Sequence, residues 1–102
     1  MRVLIPAVRV GKTFLLAPSV EKCPLYILCE FKAGSFRPVE VIEDRGGNPV
    51  TLRGVVESKR PDIVVVLDVV EGRELEELGV KVYRSRELEV EKALGELEAK
   101  LL

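Results

Sequence analysis

The sequence predicts an α/β fold in which a mixed five-stranded sheet lies between helices. Three observations predict it. Ile63-Val64-Val65-Val66-Leu67 is continuously apolar and β-branched, the pattern of a strand covered on both faces. Helical and extended patterns alternate through the second half of the chain, which demands parallel pairing with right-handed crossovers. In the first half, Leu25–Lys32 and Phe36–Glu43 read as two strands joined by the short glycine-containing connection Ala33-Gly34-Ser35, and so as antiparallel neighbours.

Taken in order, Arg2–Val10 is a strand rich in β-branched residues, and Pro6 places it at an edge or a bulge. The two hairpin strands follow, and then a loop at Asp44-Arg45-Gly46-Gly47-Asn48-Pro49. A short helix from Thr51 to Lys59 is capped by Thr51, carries Leu52, Val55 and Val56 as its apolar stripe, and is stopped by Pro61. Asp62–Val69 is the central strand. Gly72–Leu78 is a second short helix with Gly79 at its C-cap, and Val80–Arg84 is the last strand. A closing helix from Leu88 to Leu102 presents Val90, Ala93, Leu94, Leu97 and Leu101 on one face.

Composition narrows the chemistry. A chain of 102 residues is expected to form one domain over residues 1–102, burying roughly two-thirds of its unfolded surface. The absence of histidine removes Ser-His-Asp and Cys-His nucleophiles, Cys/His zinc sites and any imidazole acid or base. Sixteen basic residues nearly balance seventeen acidic ones, so net charge signals neither nucleic acid nor an anionic membrane. No apolar run is long enough to span a bilayer and no secretory signal opens the chain, so a cytoplasmic location is expected. Fourteen glutamates against three aspartates, with one asparagine and no glutamine, is the composition of a hyperthermophile protein.

In open sheets of this kind ligands collect at the carboxyl ends of the parallel strands. Here those ends are Asp68–Gly72 and Arg84-Ser85-Arg86, with Gly11-Lys12-Thr13 after the first strand. The last segment resembles the end of a phosphate loop, but Pro6 stands where that motif needs glycine and no helix follows promptly; the alternative is a simple turn. Cys29 alternates with Leu25, Ile27 and Phe31 and reads as a small core residue. Cys23, before Pro24 at a loop-to-strand junction, is either an exposed soft ligand or a second buried thiol. Extended chain between the two thiols opposes a disulfide. Arg84 and Arg86 flank Ser85 before the final helix, either as an anion corner or as ordinary surface charge. A carboxylate-metal hydrolase would centre on Asp68, but the first strand carries Arg2 and Arg9 and no acid.

Residues Asp62–Leu67, Glu74–Gly79, Val80-Lys81-Val82-Tyr83 and Val90-Glu91-Lys92-Ala93-Leu94 together resemble the dinitrogenase iron-molybdenum-cofactor biosynthesis family. Small members of that family have an apolar strand, a short helix ending in Leu-Gly, a Val-x-Val-Tyr strand and a helix opening Val-Glu-x-Ala-Leu. Met1–Pro6, Lys22-Cys23-Pro24-Leu25-Tyr26 and Val41-Ile42-Glu43 are similar to its opening strand, its entry to strand two and the end of strand three. Ser19 stands in a segment where such proteins commonly carry histidine. The resemblance implies a three-layer α/β/α, ribonuclease H-like domain of the nitrogenase accessory factor type. It further implies a non-enzymatic carrier of an iron-molybdenum or iron–sulfur cluster. On that reading Lys12, Cys23, Asp68 and Arg84 form the site: Cys23 as metal ligand, Lys12 and Arg84 neutralising an anion, Asp68 orienting it. The alternative is a protein-interaction or structural module that has lost the cofactor site, its partner either another protein or a second copy joined through an edge strand.

Overall fold

The computed structural model describes residues 1–18, 23–43, 50–68 and 76–101. It has a six-stranded mixed sheet: β1 (Arg2–Val10), β2 (Thr13–Leu16), β3 (Leu25–Lys32), β4 (Ser35–Glu43), β5 (Ile63–Leu67) and β6 (Lys81–Ser85). Among the described residues two complete helices accompany it, α1 (Leu52–Lys59) and α2 (Val90–Leu101). The strand order is β4-β3-β1-β5-β6, with β2 pairing β1 alone. Strands β5 and β6 run parallel to β1, while β2 and β3 run antiparallel to it.

Sequence reasoning assigned five strands; the sixth, β2, is a correction. Gly11 and Lys12 form a two-residue hairpin turn with Val10 paired to Thr13. Gly11 adopts φ +62°, the positive value a type II′ turn requires at that position. A strand follows this turn instead of a helix, so the phosphate-loop geometry is absent. Thr13–Leu16 has only four residues, too few to show a period, and it exists because β1 outruns β5.

Pro6 also lies differently from expectation, since β1 is central, not an edge. Phe31 N–H donates to Met1 O (2.8 Å), Asp62 N–H to Arg2 O (2.8 Å) and Ala17 N–H to Pro6 O (3.0 Å). Odd residues of β1 therefore turn their backbone groups toward β3, and even residues toward β5 and β2. Pairing with β5 is recorded at Val3 and Leu4, and pairing with β2 begins at Ala7. Pro6 falls at the handover, where its missing N–H deprives neither ladder. In β4, Pro38 is opposite Cys29, an odd residue of β3 that faces β1. Pro38 N therefore points outward, and a bulge beside it bends this outer strand.

Alternation along the strands produces two cores. Leu4, Tyr26, Leu28, Val64 and Val66 pack with Leu52, Val55 and Val56 of α1 on one face. Val3, Ile5, Ile27, Cys29 and Val65 pack with Val90, Ala93 and Leu97 of α2 on the other. This is why Ile63–Leu67 is apolar at every position. Thr51 caps α1 by accepting from Gly54 N–H (3.1 Å), and Arg60 ends it in the left-handed region at φ +48°. Arg2 Nη1 donates to Lys59 O (3.0 Å), satisfying a carbonyl in the last turn.

Helix α2 starts at Val90 instead of Leu88. Leu16 N–H donates to Leu88 O (2.8 Å) and Leu15 bridges Glu89, so these residues are spent on β2. The strand expected at 80–84 runs Lys81–Ser85, and β5 is Ile63–Leu67 within the expected 62–69. The loop at 44–49, most of the helix expected at 72–78, Ser19 and residues 69–72 lie outside the described residues. Glu76 and Glu77 are helical, and Gly79 follows at φ +73° as expected of a C-cap glycine. No helix among the described residues is long and apolar enough to cross a membrane.

The β3–β4 hairpin turns through Ala33 and Gly34, both at positive φ (+55° and +80°). Alanine has no affinity for that region. Ala33→Asn should therefore raise unfolding stability by about 0.5–1 kcal/mol in urea titrations, with the hairpin unchanged.

Candidate functional site

The site expected from the sequence falls where four strands end. Strands β1, β4, β5 and β6 point the same way, so Glu43, Asp68 and Ser85 come to one end of the sheet, together with the hairpin tip and Cys23 at the entry to β3. The fold closes part of this end itself. After Ser85 the chain crosses the end of β5 to reach β2 through Leu88 and Glu89.

Asp68 and Arg84 are brought together. Asp68 N–H donates to Ser85 O (2.9 Å), prolonging the β5–β6 ladder by one bond, and Arg84 Nη1 donates to Asp68 O (3.3 Å). Both side chains are exposed. Ser85 is the contributor that sequence reasoning placed wrongly, as a neighbour of the helix N-terminus. It is fully buried, its Oγ accepts from Glu87 N–H (3.0 Å), and it turns the chain toward β2, five residues before α2 begins. A serine between two arginines was the available signal, but burial of the small side chain has no mark in sequence.

Lys12 stands apart. It sits at the exposed hairpin tip, and β1 runs three residues past Ala7, about 10 Å at the rise of an extended strand. Arg9, on the same arm, is held down by Glu43 (3.0 Å) and lies over the Phe14 ring (5.4 Å).

Cys23 is buried, 8% exposed, and so is not the accessible thiol its junction position allowed. Its S–H faces Ala7 O (3.3 Å) and Leu25 O (2.6 Å), and it packs in the α1-side core with Tyr26. Burial pushes the Cys23 thiol pKa up, outweighing the backbone hydrogen bonds with Leu25 and Ala7. Cys29 lies in the other core and is pushed up to about 11 by burial. Sitting on opposite faces of the sheet, the two thiols are both free. Tyr26 is also raised, to about 12, by burial and by the nearby Cys23.

An iron–sulfur-type cluster needs several soft or acidic ligands converging on one point. Among the described residues no three of His, Cys, Asp and Glu are grouped to hold a metal ion, and the one thiol at this end is engaged with backbone. These residues do not fit a ligated cluster. Of the grooves lined by described residues, one of about 570 Å³ is lined by Met1, Pro61, Ile63 and Leu101 at the opposite end of the sheet, and one of about 240 Å³ lies between Ile42, the neighbour of Glu43, and α1.

No protein-family model matches the chain, and no curated protein matches it. Solved structures do share its fold. A protein called PH0822 superposes with TM-score 0.76 at 17% identity, covering 98% of this chain and 90% of that one. A Thermotoga protein (TM1290), described as "a putative NifB protein" of the DUF35 family, gives 0.68 at 23% identity, over 96% and 87%. A Methanocaldococcus jannaschii protein (mj0327), described as "a putative dinitrogenase", gives 0.72 at 13% identity, over 98% and 89%. At these identities the likeness is one of fold: a mixed α/β sheet shared nearly end to end.

The thiols generate a prediction. Both should resist a disulfide reagent at pH 8 in the folded protein and react at once in urea. Because the folded Cys29 pKa exceeds the unfolded value, the folded state keeps a proton that the unfolded state releases. Stability is then whole below pH 9 and falls as pH rises toward 11, by about 2–3 kcal/mol for this group. Urea melts from pH 8 to 11 on wild type and Cys29→Ala check it: the variant should lose less over that range.

Proposed function

We propose that this chain is a three-layer, ribonuclease H-like domain of the nitrogenase accessory factor type, a cytoplasmic binding protein and not an enzyme. Its ligand is a small anion taken at the carboxyl ends of the parallel strands. The observation carrying the reading is the Arg84–Asp68 corner: Arg84, exposed near the end of β6, has its guanidinium on the carbonyl of Asp68, one residue past β5. Likeness of fold to proteins described as NifB and dinitrogenase supports the class. Arg84 supplies the charge, Asp68 sets the orientation of Arg84 through its backbone, and Lys12 adds a more distant positive charge at the exposed hairpin tip.

A metallocluster would be cargo here, attracted by its negative charge and not ligated by a built set of side chains. Cys23 would join it only after leaving its contacts with Ala7 and Leu25.

Calorimetric titration with molybdate and with phosphate tests the reading. Wild type should bind, Arg84→Ala should weaken binding about tenfold, as loss of a charge-assisted contact does, and Lys12→Ala should weaken it less. Anaerobic addition of iron–molybdenum cofactor, followed by its electronic spectrum, separates cargo from ligation: Cys23→Ser should leave the spectrum as in wild type. Absence of binding by either anion and by the cofactor would end the proposal. A second reading, an interaction module, is favoured by Val39 and Val41, which are 60% and 43% exposed on the outer strand.

A further inference from the structure

The direction of the backbone groups of β4 defines what could pair with it. Odd residues of β3 face β1, as the Phe31–Met1 hydrogen bond shows, so their partners Phe36, Pro38, Val41 and Glu43 turn their backbone groups outward. This outer ladder carries Val39 and Val41, two of the large apolar residues exposed in the structure. The other outer strand, β6, has only five residues and carries Lys81 and Arg84 with no acid to pair them in a second copy.

We propose, resting on the interaction-module reading, that a second copy of this chain pairs antiparallel with β4 across a two-fold axis between Val39 and Glu40. Phe36 then faces Glu43 of the copy, Pro38 faces its Val41, and Val39 faces its Glu40. Three features select this register. Each outward-facing residue meets an outward-facing residue, which shifts of one residue do not allow. The extra residue of the bulge lies at the same level in both copies, so neither ladder is thrown out of step. Arg37 falls diagonally opposite Glu40 of the copy, twice, placing opposite charges within side-chain reach.

Pro38 shapes the interface as well. Its carbonyl accepts from Val41 of the copy, but it has no N–H to return, so the pairing is short and weak. The same missing donor discourages a strand of arbitrary sequence, while the two-fold closes the assembly at two copies.

Sedimentation equilibrium from micromolar to millimolar protein tests this, with amide exchange recorded across the same range. Wild type should pass reversibly from monomer to dimer, with the Phe36, Val41 and Glu43 amides becoming protected. Arg37→Glu and Glu40→Lys should each weaken association about fivefold or more, and the double exchange should restore it. Glu40 also holds Lys59 within its own chain (2.9 Å), so melting curves of the three variants check that each monomer is intact. A dimer that leaves those amides unprotected, or ignores the charge exchange, overturns this interface and leaves the interaction-module reading standing. A chain monomeric throughout overturns the self-pairing and leaves the interaction-module reading only with a partner of another sequence.

Discussion

Everything in this fold answers to the backbone of β1. Its nine residues carry hydrogen-bonding groups on two sides, and along the buried stretch Val3–Ala7 leaving one unmet costs about 1–3 kcal/mol. Toward β3 the ladder is continuous from Arg2 to Ala7. On the other side β5 serves only the lower part, and Pro6 marks where its service ends. The upper part needs another partner, which the chain makes by turning at Gly11 and returning as β2. That choice then sets the next: β2 has an open side of its own, which Leu88 and Glu89 fill, and α2 cannot begin until they have done so.

The same hand-off places the candidate site. Because the segment after Ser85 crosses the end of β5, that end of the sheet is walled by backbone instead of left as an open crevice. Asp68 and Arg84 meet there through main-chain carbonyls, and Cys23 is tucked under the end of β1 and β3 with its thiol proton in use. Such an arrangement offers charge at a surface, not a ring of ligands around a cavity. At the other margin Tyr83 donates to Glu96 (2.6 Å) and lies under Lys100 (5.0 Å), tying α2 to β6.

Much of this was legible in the residues. Five of the six strands, the two-sided burial of Ile63–Leu67 and the apolar face of the last helix follow from patterns longer than one turn or one pleat, and the N-cap at Thr51 follows from the chemistry of a single hydroxyl. Cys29 was legible for the same reason. Where reasoning failed, the pattern was too short or the cause was remote. Thr13–Leu16 has too few residues to alternate visibly, Pro6 looks like an edge residue unless the hand-off between partners is known, and Cys23 sits at a junction whose burial depends on Tyr26 and α1. Of the four site residues, only the meeting of Asp68 with Arg84 came out as the strand-end rule expects. Lys12 is carried away by an arm that the sequence did not announce.

What the sequence by itself determined is the alphabet of elements and the faces they bury, since side-chain period and β-branching act locally, together with the exclusion of imidazole chemistry. Only the tertiary structure decided how the backbone of β1 is shared among three partners, which thiol belongs to which core, and that Pro38 turns its absent donor outward. Those are matters of hydrogen-bond direction between strands far apart in the chain, and direction is fixed by pairing, which no single segment contains.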